Sequence, residues 1–157
     1  MTTYAYAATF EATSAENGFI VTFEDVPEAI TEGSDMAEAY EMAMDALGVA
    51  LLAYLQIGKE RPVSVAKGIM ISPEPDVAAK IAVIETFQHA GVTHRELADR
   101  LGENQNAIRK LLDPDERTKL SLMLRSLAAM DMHFEMQVRP ATCVPPACEN
   151  ASGMGRP

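Results

Sequence analysis

The sequence predicts an α+β protein of two modules, a ββα(β) front and a helical back that contains a helix-turn-helix and ends in a dimerising strand. Three observations carry that expectation. Aromatic and small residues of strand character fill residues 4–23, whereas three- and four-residue apolar spacing dominates from residue 36 onward. Residues 1–58 hold ten acidic side chains and no Lys or Arg, and the tally up to Pro75 is 12 acidic against 3 basic. From Asp76 onward there are 11 acidic and 10 basic side chains, so a front of net charge −9 gives way to a back of −1. The rigid break Pro73-Glu74-Pro75 falls at this change. It divides the 157 residues into domains 1–72 and 76–138, joined by linker 73–75 and followed by a flexible tail, 139–157.

Residues 4–13 (YAYAATFEAT) read as a first strand, Glu16-Asn17-Gly18 as a turn, and residues 19–23 (FIVTF) as a second strand. The pair makes an antiparallel hairpin whose outward faces are free to pair with another chain. Asp25-Val26-Pro27 ends it, because Pro27 lacks the amide that a central strand requires. Thr31-Glu32-Gly33-Ser34 reads as a loop, with Ser34 capping a helix over residues 36–56. Met36, Tyr40, Ala43, Leu47, Ala50, Leu51 and Tyr54 form its apolar face, and Glu38, Glu41 and Asp45 its wet one. Gly58 stops the helix, and residues 61–64 and 67–71 are expected to supply a short third strand.

After the break, residues 76–89 predict a helix with Val77, Ile81, Ile84 and Phe87 inward. Residues 93–112 (THRELADRLGENQNAIRKLL) have the pattern of a helix-turn-helix. Thr93 and Glu96 form a capping box, Leu97, Ala98 and Leu101 an apolar stripe, and Gly102 a stop. Asn104 caps the second helix, on which Ile108, Leu111 and Leu112 are apolar. Gln105, Asn106, Arg109 and Lys110 are left outward, able to read base edges or hold phosphates. Asn104, Gln105, Asn106, Arg109 and Lys110 are therefore the expected DNA-binding set, with an inverted-repeat operator as the DNA partner.

Residues 116–130 predict a last helix with Leu120, Met123, Leu124 and Leu127 inward, and residues 132–138 (MHFEMQV) alternate as a strand does. A lone strand cannot satisfy its backbone groups, so it is expected to pair with a second copy. Met132, Phe134, Met136 and Val138 would face that dimer, which stands alone or joins a dimer of dimers.

Several function classes are disfavoured. No basic n-region with a long apolar core opens the chain, and the apolar run 46–55 is too short to cross a bilayer. A cytoplasmic protein without membrane contact is expected, in keeping with only two cysteines, Cys143 and Cys148, both late. His89, His94 and His133 lack partners at ligand spacing, so neither metal nor cofactor is expected.

The front half contains GFIVTFEDVPEAITEGSDMAEAYEMAMDAL, followed by a helix closing on GKERPVS. It resembles the HicB antitoxin family in Val21, Phe23, Asp25, Pro27, Thr31, Gly33, Glu38, Ala39, Ala46, Leu47 and Pro62. A repressor-type helix-turn-helix behind it is similar to one branch of that family, and the likeness spans about residues 4–138. The resemblance implies a truncated RNase H-like front module, and neutralisation of a small, basic, HicA-like mRNA-cleaving toxin. It also implies repression of the protein's own operon through the helix-turn-helix.

An acidic partner suits a basic toxin, since complementary charge speeds encounter. Glu24, Asp25, Glu28, Glu32 and Asp35, clustered between the second strand and the helix, are the expected toxin-binding residues. RNase H chemistry needs carboxylates converging on two metal ions. Glu11, Glu24 and Asp25 are available, but the chain is too short for the full sheet, so no catalytic residue and no enzyme are expected. The alternative is a stand-alone repressor whose acidic module senses a ligand or another protein.

Overall fold

The computed structural model describes residues 2–14 and 17–138. Strands β1 (Tyr6–Ala12) and β2 (Phe19–Phe23) form the expected antiparallel hairpin, with Ala8 opposite Phe23 and Ala12 opposite Phe19. Asn17 turns the chain at φ 60°, and the Thr13 amide donates to the Gly18 carbonyl at 2.8 Å. Of residues 61–64 and 67–71, expected to supply a third strand, the first group forms none and the second does. That strand is Ile69–Ile71, and a further strand precedes the long helix.

That additional strand, β3 (Ile30–Gly33), occupies the segment expected to be a loop. It pairs antiparallel with β2, Val21 lying opposite Thr31. Ile30 and Thr31 favour a strand, and β2 offers the ladder of backbone partners that carries it on through Glu32 and Gly33. Gly33 then allows an immediate corner: a Cβ there would overlap the backbone of Ala39. Residues Ile69–Ile71, now β4, pair with the other side of β1, giving the sheet order β3-β2-β1-β4.

Strand alternation sends Tyr6, Ala8, Val21, Phe23 and Ile71 to one face, where α1 (Met36–Gln56) covers them. On α1 the buried positions Ala39, Ala43, Leu47, Ala50, Leu51 and Leu55 complete this first core. Full burial of Leu47 and Leu51 is worth about 1.5–3 kcal/mol each. The cap of α1 lies one residue later than expected. Asp35 accepts from the Glu38 amide at 2.9 Å, while Ser34 donates through its amide and hydroxyl to the Glu38 carboxylate. The reciprocal arrangement is a capping box displaced by one residue.

Pro75 opens α2 (Pro75–Ala90), whose missing amide costs nothing at a helix start. Val77, Ile81, Ile84 and Phe87 do pack inward, but α2 faces two cores rather than one. Ile81 and Ile84 belong to the first core, while Ala79, Ala82 and Val83 belong to a second. A helix apolar on two sides joins two bodies, and α1 crosses it closely: a Cβ at Gly48 would lie 3.1 Å from a Val77 methyl. The second core is completed by α3 (His94–Leu101), α4 (Gln105–Leu112) and α5 (Leu120–Ala129). Leu97, Ile108, Leu111, Met123 and Leu127 are its fully or nearly fully buried side chains. Helix α5 starts at Leu120 rather than Glu116, because residues 113–119 turn back from α4. Residues 132–138 form no strand within the single chain; Phe134 is half-buried against the second core, and Met132, Met136 and Val138 are exposed. The expected tail, with Cys143 and Cys148, lies outside the described residues.

A polar clamp crosses the junction. Arg61 donates from Nε to Glu85 at 2.8 Å and from Nη1 to the Tyr6 hydroxyl at 3.1 Å. Tyr6 in turn donates to the Pro62 carbonyl at 2.6 Å, and Tyr4 donates to Glu85 at 3.2 Å. The Arg61 guanidinium also sits 4.8 Å from the centre of the Tyr4 ring. Burial, reinforced by the Glu85 charge, pushes the Tyr4 phenol well above the ordinary tyrosine value, so it stays a donor. The Arg61 and Glu85 side chains are only 19% and 20% exposed, so their pairing is shielded from water. Glu85→Gln keeps the shape and removes the charge. Urea unfolding should show a loss of about 1–3 kcal/mol, the scale of a charge-assisted hydrogen bond, and an unchanged midpoint would refute the clamp.

Candidate functional site

Two surfaces carry the residues singled out from the sequence. The first is the outer side of α4. Thr93 caps α3 as expected, accepting from the Glu96 amide at 3.2 Å while its own amide donates to the Glu96 carboxylate at 2.8 Å. Gly102 ends α3 at φ 67°. Asn104 starts α4 by accepting from the Ala107 amide at 2.8 Å, so its side-chain oxygen is committed to capping. Burial of Ile108 and Leu111 then fixes the rotation of α4 and leaves Gln105, Asn106, Arg109 and Lys110 exposed together. Arg109 and Lys110 enter no ion pair among the described residues. Two free guanidinium or ammonium groups beside two amides can hold phosphates and form hydrogen bonds with base edges.

Support for this face comes from residues that the sequence reading passed over. Lys80 on α2 is buried, and its ammonium donates to the Lys110 carbonyl at 3.0 Å and to the Thr118 hydroxyl at 2.9 Å. It thus holds the last turn of α4, where a cation also complements the helix dipole. Burial pushes its pKa below the ordinary lysine value, with Asp113 and Glu116 opposing. Arg100 donates to the Ala129 carbonyl and Arg125 to the Leu101 carbonyl, both at 2.8 Å, tying α3 to α5. A buried Lys in an otherwise apolar run was the only sequence signal for any of these contacts.

The second surface is the acidic stretch between β2 and α1. Its five expected residues do not act alike. Asp25 is half-buried and accepts from the Val65 and Ala66 amides at 2.9 and 2.8 Å, pinning the connection before β4. Glu28 accepts from the Tyr54 hydroxyl at 2.8 Å, which holds its carboxyl below the ordinary glutamate value. Asp35 caps α1. Glu24 and Glu32 remain exposed, with no partner of their own among the described residues. Among the described residues no group of three or more His, Cys, Asp or Glu side chains is placed to hold a metal ion. Nor is any described helix long and apolar enough to cross a membrane.

The sequence that builds these two surfaces is similar to that of known proteins. The family described as "HicB_like antitoxin of bacterial toxin-antitoxin system" matches residues 5–70. Antitoxin HicB 2 of Photorhabdus laumondii is 33% identical over 122 residues, covering 77% of this chain and 88% of that protein. Antitoxin HicB of Escherichia coli K12 is 32% identical over 126 residues, 78% of this chain and 90% of the relative. Antitoxin HicB 1 of Photorhabdus laumondii is 30% identical over 134 residues, 85% and 86% of the two chains. The chain belongs to the HicB antitoxin family.

The capping box predicts a pH dependence. Hydrogen bonds from the Thr93 amide and hydroxyl lower the pKa of Glu96 below its ordinary value. A depressed folded value means stabilisation that is complete above the ordinary glutamate value and is lost as pH falls through the depressed one. Glu96→Gln should therefore flatten the acid limb of a stability–pH curve relative to the parent. Parallel curves for parent and variant below pH 5 would contradict this assignment.

Proposed function

We propose that this antitoxin neutralises a HicA-like, mRNA-cleaving toxin by direct binding through its acidic front module. It also represses its own operon through a helix-turn-helix formed by α3 and α4. The observation that carries the reading is the division of labour within one HicB-family chain. A front module without Lys or Arg in its first 58 residues adjoins a capped helix pair whose outer face is bare amides and cations. The front, three strands, a helix and a fourth strand, is read as a truncated RNase H-like fold that serves as a docking body rather than a nuclease. Exposed carboxylates such as Glu24 and Glu32 steer a basic toxin and shield its RNA-binding surface. Residues 132–138 complete the repressor by pairing with a second copy through Met132, Phe134, Met136 and Val138, in a dimer or dimer of dimers. Two copies of α4 then meet successive turns of an inverted-repeat operator. The protein works in the cytoplasm and needs no cofactor.

Co-expression with the product of the neighbouring gene, expected to be a small basic protein, tests the first half. The two should co-purify, and cells should survive expression of that protein only when the antitoxin is present. Operator binding without any such partner would leave a stand-alone repressor whose front module senses something else.

The second half is tested by gel shift on the upstream DNA. Arg109→Ala should weaken binding, and loss of one phosphate contact should lower the salt slope by about one unit. Gln105→Ala should relax discrimination between operator and unrelated DNA. Parental affinity and specificity in both variants would remove α4 from the interface.

A further inference from the structure

The face of the sheet opposite α1 offers a surface that the acidic stretch alone does not. Strand alternation sends Thr9, Glu11, Ile20, Ile30, Glu32 and Met70 to that side, and all six are exposed. Ile20, Ile30 and Met70 are 40%, 63% and 42% exposed, an unusual concentration for strand residues of this type. Ile20 lies directly between two carboxylates, since β-pairing sets it opposite Glu11 on one side and Glu32 on the other. Beside it, Ile20, Ile30, Thr31 and Glu32 line a shallow depression. The strand carrying two of these residues, β3, is the edge of the sheet, with its outer backbone groups unpaired among the described residues.

Charge selects the occupant. A second copy applied symmetrically to this face would bring Glu11 and Glu32 near their own kind, and a nucleic acid would meet carboxylates with no cation among these six residues. A protein surface that offers an apolar side chain ringed by Lys or Arg fits both the centre and the rim. We propose that the open sheet face, with β3 at its edge, is where the basic toxin docks. Ile20 and Ile30 anchor it, and Glu11 and Glu32 form the charged rim. The proposal rests on the antitoxin reading above and relocates its principal contact. Asp25, Glu28 and Asp35 have internal duties, which leaves them as scaffolding for this face rather than its contact residues.

The test uses the full chain and the product of the neighbouring gene, expected to be a small basic toxin. Ile20→Ser/Ile30→Ser removes the anchors, Glu11→Lys/Glu32→Lys inverts the rim, and Asp99→Lys on α3 is the control. All these positions are exposed, and circular dichroism and the operator gel shift establish that each variant folds. Both double variants should weaken the complex by about tenfold or more and lose growth protection, while Asp99→Lys behaves as the parent. If the parent binds and both double variants bind equally well, the face is wrong and the antitoxin reading stands. If the parent itself does not bind, both fall together. If the variants instead dissociate copies of the chain from one another while toxin binding persists, the face belongs to self-association and the proposal is overturned.

Discussion

Helix α2 is apolar on two opposite sides, and nearly everything else in the molecule is arranged around that fact. Ile81 and Ile84 close the core beneath the sheet, and Ala79, Ala82 and Val83 close the core of the small helices. Small side chains suit the second role, because several short helices must approach one axis. The crossing of α1 over α2 depends on Gly48, where a side chain would press on Val77. A break at residues 73–75 therefore marks where the charge balance changes, but the hydrophobic partition runs through the helix that follows it. Shielding of the Arg61–Glu85 pair comes from the same geometry, as Tyr4 packs against both cores.

Electrostatics are handled differently on the two sides of α2. In the back half, cations end helices: Lys80, Arg100 and Arg125 each donate to a carbonyl near a helix terminus. Their charges are thereby localised on α2, α3 and α5, and Arg109 and Lys110 stay unpaired on α4. In the front, carboxylates begin helices and pin loops, as Asp35 and Asp25 do. A surface with so little compensating positive charge keeps an outward negative potential despite these internal uses.

Local signals were legible in the sequence and long-range ones were not. The hairpin, the extent of α1 and the Thr93–Glu96 box rest on neighbours a few residues apart, and each is present where expected. The strand at Ile30–Gly33 was missed because Glu32 and Gly33 are of types depleted in strands and the run is short, and the register with β2 completes it. The second apolar side of α2 was missed for a related reason. Periodicity marks Ile81 and Ile84 clearly, but alanines at 79 and 82 look neutral until a second core is known to lie against them. Within the acidic stretch, residue type gave no means of separating Asp25 from Glu24, since the difference is a pair of amides forty residues away. Lys80 shows the same limit: a lone Lys among apolar residues advertises a contact without naming its partner.

Two cores that share one helix also share one folding equilibrium across it. A ligand that binds only the folded chain stabilises it by mass action, in proportion to the logarithm of its concentration over its dissociation constant. Because Ile81, Ile84, Ala79 and Val83 ride on the same 16-residue element, unfolding α2 dismantles both cores at once. Occupancy of either face is then registered by the other as resistance to unfolding, with no change of shape required.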